Sequence, residues 1–131
     1  MIRPILSTLI FLTQLFHPGL IQGDIVDSIS TLFKSANSKE ISKSFSPSVE
    51  LTINEEEDVY TKAQAEQILR DFFTKNAPVN STVVHLINTN PNYRFGILSL
   101  STKTGKFRVA ITLKKTANTF FITELRIEPD K

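Results

Sequence analysis

From Asp24 onward, Ile25, Val26, Ile29, Leu32 and Phe33 return at one-turn spacing, with Ser28, Ser30 and Lys34 on the opposite side. A single apolar stripe of this kind predicts an amphipathic helix laid on a core. Asn37 is its predicted stop. Ser38 is placed to cap a short second helix in which Ile41 and Phe45 stand four residues apart, and Ser46-Pro47 ends it. Val49, Leu51 and Ile53 then alternate with Glu50, Thr52 and Asn54, the pattern of a half-buried strand. Thr61-Lys62-Ala63-Gln64 reads as a capping box. Behind it Ala65, Ile68, Leu69, Phe72 and Phe73 form one face of a longer helix, which Asn76-Ala77-Pro78 terminates.

The remainder reads as sheet. Segments 79–88, 93–101, 106–115 and 119–128 are rich in β-branched and aromatic residues. Short turn-type stretches separate them: Thr89-Asn90-Pro91-Asn92, Thr102-Lys103-Thr104-Gly105 and Thr116-Ala117-Asn118. Loops so short join neighbouring antiparallel strands, so a four-stranded meander is expected. Phe107, Val109, Ile111 and Leu113 alternate with Arg108, Ala110, Thr112 and Lys114, assigning one face to the core. In the last strand Phe121, Leu125 and Ile127 are expected inward, with Ile122, Glu124 and Arg126 outward. Helices first and a meander after make an α+β domain with its helices on one sheet face.

Residues 1–23 follow a different rule. Arg3 gives a short positive start, Ile5 to Phe16 is an uncharged, largely apolar run, and His17-Pro18-Gly19 breaks it. Twelve residues are too few for a membrane span, which needs about 20. They match the core of a cleavable secretory leader. Cleavage is expected between Gly23 and Asp24, leaving one domain over 24–131 that is periplasmic or secreted, with no stable membrane span.

Arg3 is the only charge in the leader, so the mature part keeps 14 basic groups against 13 acidic ones. A sequence pI near 9.0 therefore reflects a surplus of one charge. That balance excludes a phosphate-backbone binder, which needs excess Lys and Arg. The chain has no cysteine, which removes disulfides, thiolate metal sites, a lipid-modified cysteine and a Cys nucleophile. The core must hold the fold unaided.

Three segments carry a resemblance: Ala63-Gln64-Ala65-Glu66-Gln67-Ile68-Leu69-Arg70-Asp71-Phe72-Phe73, Gly105-Lys106-Phe107-Arg108-Val109, and Leu125-Arg126-Ile127-Glu128. With the order helix, short helix, strand, helix, meander, the chain resembles domain-of-unknown-function family 4783. These are secreted bacterial members of the nuclear-transport-factor-2-like (cystatin-like) superfamily. The resemblance spans Asp24 to Glu128 and implies a curved sheet of four strands plus one short strand wrapping a helix. It also implies a pocket in some members and dimers through the sheet in many. The family has no assigned activity and so no catalytic residues to carry over. Thr116-Ala117-Asn118 departs from the Asn-Gly turn expected in the final hairpin.

Candidate chemistry is sparse. His85 is the one histidine beyond the leader. Superfamily pocket enzymes place a His or Asp on the sheet as general base, but no Asp lies on a predicted strand to orient it. Arg94, Arg108, Lys114 and Arg126, with Glu124 among them, are expected near one another, either holding an anionic partner or forming a charged solvent face. Glu55-Glu56-Glu57-Asp58 lacks the alternating spacing of a calcium loop and reads as a solvated turn. Asn80-Ser81-Thr82 fits the glycosylation pattern. Tyr93, Phe95 and Phe107 mimic a base-stacking sheet, against which charge balance and export both argue. No phosphate loop, metal-binding His pair or nucleophile elbow occurs, and no cofactor or metal is expected. The reading is a non-enzymatic exported module that binds a small ligand, an envelope protein or its own copy. Weak binding candidates are His85, Arg94, Arg108 and Arg126. The alternative is a small isomerase-, dehydratase- or hydrolase-like pocket enzyme using His85; an inhibitor role by analogy with cystatins rests on fold alone.

Overall fold

The computed structural model describes residues 24–131. The expected leader, with its cleavage point after Gly23, lies outside them. Among the described residues no helix is long and apolar enough to cross a membrane. Helix α1 spans Ile25–Lys34, α2 Ser38–Ser42 and α3 Lys62–Lys75. Strands β1 to β6 span Phe45–Ile53, Glu56–Thr61, Pro78–Ile87, Tyr93–Thr102, Gly105–Thr116 and Thr119–Pro129.

The strands form one sheet in the order β2-β1-β6-β5-β4-β3. Strands β3 to β6 make the expected antiparallel meander. Two features correct the expectation of an antiparallel sheet with one extra short strand. First, β1 runs parallel to β6, with Leu51 beside Leu125 and Ile53 beside Ile127. Second, the acidic run is not a turn: Glu56–Thr61 is a sixth strand, antiparallel to β1. Asn54 and Glu55 both take left-handed backbone, φ 51° and 74°, and close a two-residue hairpin. Strand β2 sits at the sheet edge and is solvated nearly throughout, so its carboxylates stay in water and discourage edge pairing.

All three helices lie on one face of the sheet. Val26, Ile29 and Phe33 of α1 are buried, as are Ala65, Leu69, Phe72 and Phe73 of α3. Four phenylalanines interlock across this layer edge to face: Phe33–Phe73 at 5.5 Å, Phe72–Phe73 at 5.9 Å and Phe72–Phe107 at 5.0 Å between ring centres. Beneath them lie Leu98, Leu100, Val109, Ile111 and Leu113, all fully buried.

The longer helix starts as its capping box requires. Gln64 N–H donates to Thr61 Oγ1 at 3.2 Å, and Thr61 N–H donates to Gln64 Oε1 at 3.0 Å. At the α1–α2 junction the assignments shift by one residue. Ala36, at φ 57°, ends α1. Asn37, rather than Ser38, caps α2 by accepting from Glu40 N–H at 3.1 Å. Ser38 is buried and donates to Glu66 Oε2 at 3.2 Å, and Phe45 opens β1 rather than closing a helix.

Bulges decide which side chains face outward. On β6, Glu124 pairs with Thr112 and Ile122 with Leu113, so Thr123 is an extra residue. The parity of the strand inverts there. Ile122 therefore joins the core and Phe121 turns away from it, the reverse of the sequence expectation. On β3, Val83 pairs with Leu98 and His85 with Ile97, leaving Val84 as the extra residue. In the β5–β6 hairpin, Ala117 and Asn118 adopt φ 52° and 68°, the turn usually made by Asn-Gly.

Two contacts pin α1 to the sheet. Gly96 on β4 lies directly beneath it, where a Cβ would stand 2.6 Å from Val26 Cγ1. At the helix start, Arg94 Nε donates to Asp24 Oδ2 at 2.9 Å while the guanidinium lies 4.6 Å over the Phe120 ring. Both partners of this ion pair are largely buried.

Gly96→Ala is expected to destabilise the domain by about 1–3 kcal/mol, because α1 must lift off β4; denaturant unfolding measures it. Arg94→Ala is expected to cost about 1–3 kcal/mol, below the range for a fully buried pair because water still reaches the site. Arg108→Ala, on the strand face away from the core, should cost under about 0.5 kcal/mol in the same assay run dilute enough to keep the chain monomeric.

Candidate functional site

Among the described residues, helices cover one face of the sheet and leave the other open. Register and alternation assign its residues. From β4 come Tyr93, Phe95, Ile97 and Ser99, and from β5 Lys106, Arg108, Ala110, Thr112 and Lys114. From β6 come Phe121, Glu124, Arg126 and Glu128. Glu50 and Thr52 on β1 and Glu57 on β2 continue the row. Apolar groups thus gather toward β4, cations on β5, and most carboxylates toward β6, β1 and β2.

Two shallow hollows mark this face. One, of about 310 Å³, is lined by Phe95, Ala110, Arg108, Arg126, Glu124 and Glu128. The other, of about 530 Å³, adjoins it through Phe95 and Arg108 and includes His85, Ile97 and Asp130. Arg126 is held in a small network: Nη1 lies 3.4 Å from Glu128 Oε2 and Nη2 lies 4.0 Å from Glu57 Oε1. To reach Glu57 on β2 it must cross β1, and Thr52, between them in register, is only 2% exposed. Arg108 stands opposite Glu128 across β5–β6 and beside Ser99 on β4.

The expected cluster of four cations divides. Arg108, Lys114 and Arg126 share the open face with Glu124. Arg94 does not: it pairs with Leu113, an inward residue, and belongs to the Asp24–Phe120 contact on the helix side. His85, beside Ile97, is solvent-exposed on the open face. The three aromatics expected as a stacking platform also split, because Phe107 is in the core against Phe72. The acidic run projects to both sides of β2, Glu57 with Thr52 and Glu56 with Ile53. Among the described residues no three potential metal ligands converge. Asn80 is exposed on edge strand β3.

On the helix side the centre is filled by the phenylalanine chain. A groove of about 450 Å³ remains at its margin, between α3 and the β1–β2 hairpin, with Leu51, Tyr60, Ile68 and Phe72 in its walls and Asp71 and Lys75 at its rim. Ile97 and Thr52 were not singled out from sequence, and Glu57 was singled out only within the acidic run, not as a partner of Arg126. A signal existed for Ile97: Phe95 to Leu98 carries no polar side chain, the mark of a strand apolar on both faces.

Comparison with known proteins places this architecture. Among curated proteins, none matches the chain. A DUF4783 family protein from Bacteroides ovatus ATCC 8483 is 32% identical, over 79% of this chain and 93% of that one, with a TM-score of 0.75. Another from Bacteroides uniformis ATCC 8492 is 27% identical, over 82% of this chain and 99% of that one, with a TM-score of 0.78. A nuclear-transport-factor-2-like protein of unknown function from Silicibacter pomeroyi DSS-3 shares the fold alone: 7% identity, TM-score 0.60, 80% of this chain and 89% of that one. The profile of a domain of unknown function, DUF4783, matches residues 26–128. With the helix order, the meander and these relatives in agreement, the chain belongs to the DUF4783 family, on a nuclear-transport-factor-2-like fold.

Proposed function

We propose that this domain is an exported, non-enzymatic binding module that works through the open face of its sheet, and that the first partner of that face is a second copy of the chain. One observation carries the reading: on the open face Arg108 of β5 lies in register opposite Glu128 of β6. A two-fold axis along the β5–β6 seam would lay each β5 over the other copy's β6. Arg108 then meets Glu128 of the second copy, Lys114 meets Phe121, and Ala110 meets Arg126. Phe95 and Ile97 on β4 come over β1, where Thr52 already lacks water. Such a self-complementary surface is what an isologous interface requires.

The filled helix side supports binding over pocket chemistry. A substrate cavity there would have to displace the interlocked phenylalanines. His85 faces solvent on the opposite side of the sheet, without the shielding that tunes a general base. Export rests on the leader-like pattern of residues 1–23.

Sedimentation equilibrium on the 24–131 domain at tens of micromolar is expected to give twice the monomer mass. Arg108→Glu places like charges together and should weaken association by about tenfold or more. Adding Glu128→Arg to it should restore association, because the pairing is re-formed with signs exchanged. A folded monomer at 100 µM, or a double variant no better than the single, would sink the reading.

A further inference from the structure

The best-anchored polar residue outside the open face is Asp24, the first residue described. Its Oδ1 accepts from Val26 N–H at 3.1 Å and its Oδ2 from Arg94 Nε at 2.9 Å. Its carbonyl accepts from Asp27 N–H at 2.9 Å and Ser28 N–H at 3.3 Å. Its own N–H donates to Asp27 Oδ2 at 3.0 Å. Every polar atom of this residue is engaged. The residue before it in the chain is Gly23, the position where the leader pattern places its cleavage.

We propose that removal of the leader makes Asp24 a built-in amino terminus, its new α-ammonium received by the Asp27 carboxylate. The proposal rests on the export reading above and deepens it. Hydrolysis of the Gly23–Asp24 amide by a leader peptidase consumes one water, leaving a carboxylate on Gly23 and an ammonium on Asp24. The hydrogen bond to Asp27 then changes from a neutral amide donor to a charged one, and charge-assisted bonds are the stronger class. Cutting one residue later would remove the α1 cap and the partners of Arg94 and Asp27 together. Cutting earlier leaves a neutral amide at Asp24. The expected cleavage point therefore falls immediately before the residue that caps α1.

The sign of one measurement separates this arrangement from an ordinary helix start. A positive charge at a helix N-terminus opposes the helix dipole, so acetylating a free amino terminus normally stabilises a helix. Here acetylation removes the charge that Asp27 receives and should destabilise instead.

The full chain is expressed in a bacterial host with a leader-export pathway, and the exported protein is analysed by intact mass and N-terminal sequencing. The expected end is Asp24. Selective Nα-acetylation should lower the melting temperature by about 2–5 °C; in Asp27→Asn the same acetylation should leave it unchanged or raise it. A different cleavage position overturns this proposal while export stands, whereas an intact Met1 in the cell sinks the export reading as well. Acetylation that raises the melting temperature equally in both proteins overturns the role of Asp27. Arg108 and Glu128 are untouched throughout, so the outcome is independent of self-association.

Discussion

A sheet of six strands has two faces, and the described residues supply helices for only one. Burial on that side is carried by the interlocked rings of Phe33, Phe72, Phe73 and Phe107 over the aliphatic floor of β4, β5 and β6. Truncating one such ring costs about 3–5 kcal/mol, against a whole-domain stability of about 5–15 kcal/mol. With no cysteine to cross-link the chain, little else of that size is available. The layer must be full to be stable, and a full layer leaves no central cavity. The hollows that remain lie at the margin of the helix layer and on the uncovered face.

What faces outward on that uncovered side is set by small irregularities in the strands. Leu125 and Ile127 point to the helices near the C-terminal end of β6, and Ile122 does so near its start. Without the extra residue at Thr123 these could not share a face, since side chains alternate strictly. The bulge therefore keeps the core intact while sending Phe121 out beside Lys114. The parallel pairing of β1 with β6 has a comparable effect. A lone β1–β2 hairpin would be marginal in water. Fastened to β6 it extends the open face by two strands and brings Glu57 to Arg126.

Local patterns were legible in the sequence; partners were not. The α1 stripe, the Thr61–Gln64 box and the alternation of β5 are encoded within a turn or two of chain and are observed where the pattern puts them. Ser30, expected on the polar side of α1, is the exception: it is buried, with its hydroxyl 2.7 Å from that of Ser81 on β3. The acidic strand β2 was hidden because its residues disfavour strands on their own; register with β1 makes it a strand. No periodicity in residues 45–53 reveals β6 as a parallel neighbour. Asn37 and Ser38 are both good caps, and only the backbone of Ala36 selects between them. Arg94 was a different kind of miss. It has the same parity as Leu98 and Leu100, so its side of the sheet was readable; neighbouring strands in the meander bring it near Arg108 and Lys114 without putting it on their face.

Charge distribution bears on what kind of binding such a face supports. Residues 24–131 carry nearly equal numbers of both signs, so no long-range field favours one class of partner. Instead opposite signs alternate over a few ångströms, with Arg126 between Glu124 and Glu128 on β6 and Arg108 opposite Glu128. Screening removes most long-range interaction between exposed charges, but contact pairs in register keep their directional preference. Ile97 is already only 8% exposed in the single chain, shielded by its neighbours within the sheet. Covering this face consequently removes modest apolar area, and pairing geometry decides the outcome more than burial does. A surface of that kind tolerates water when uncovered, because its charged groups stay solvated and its apolar area is small.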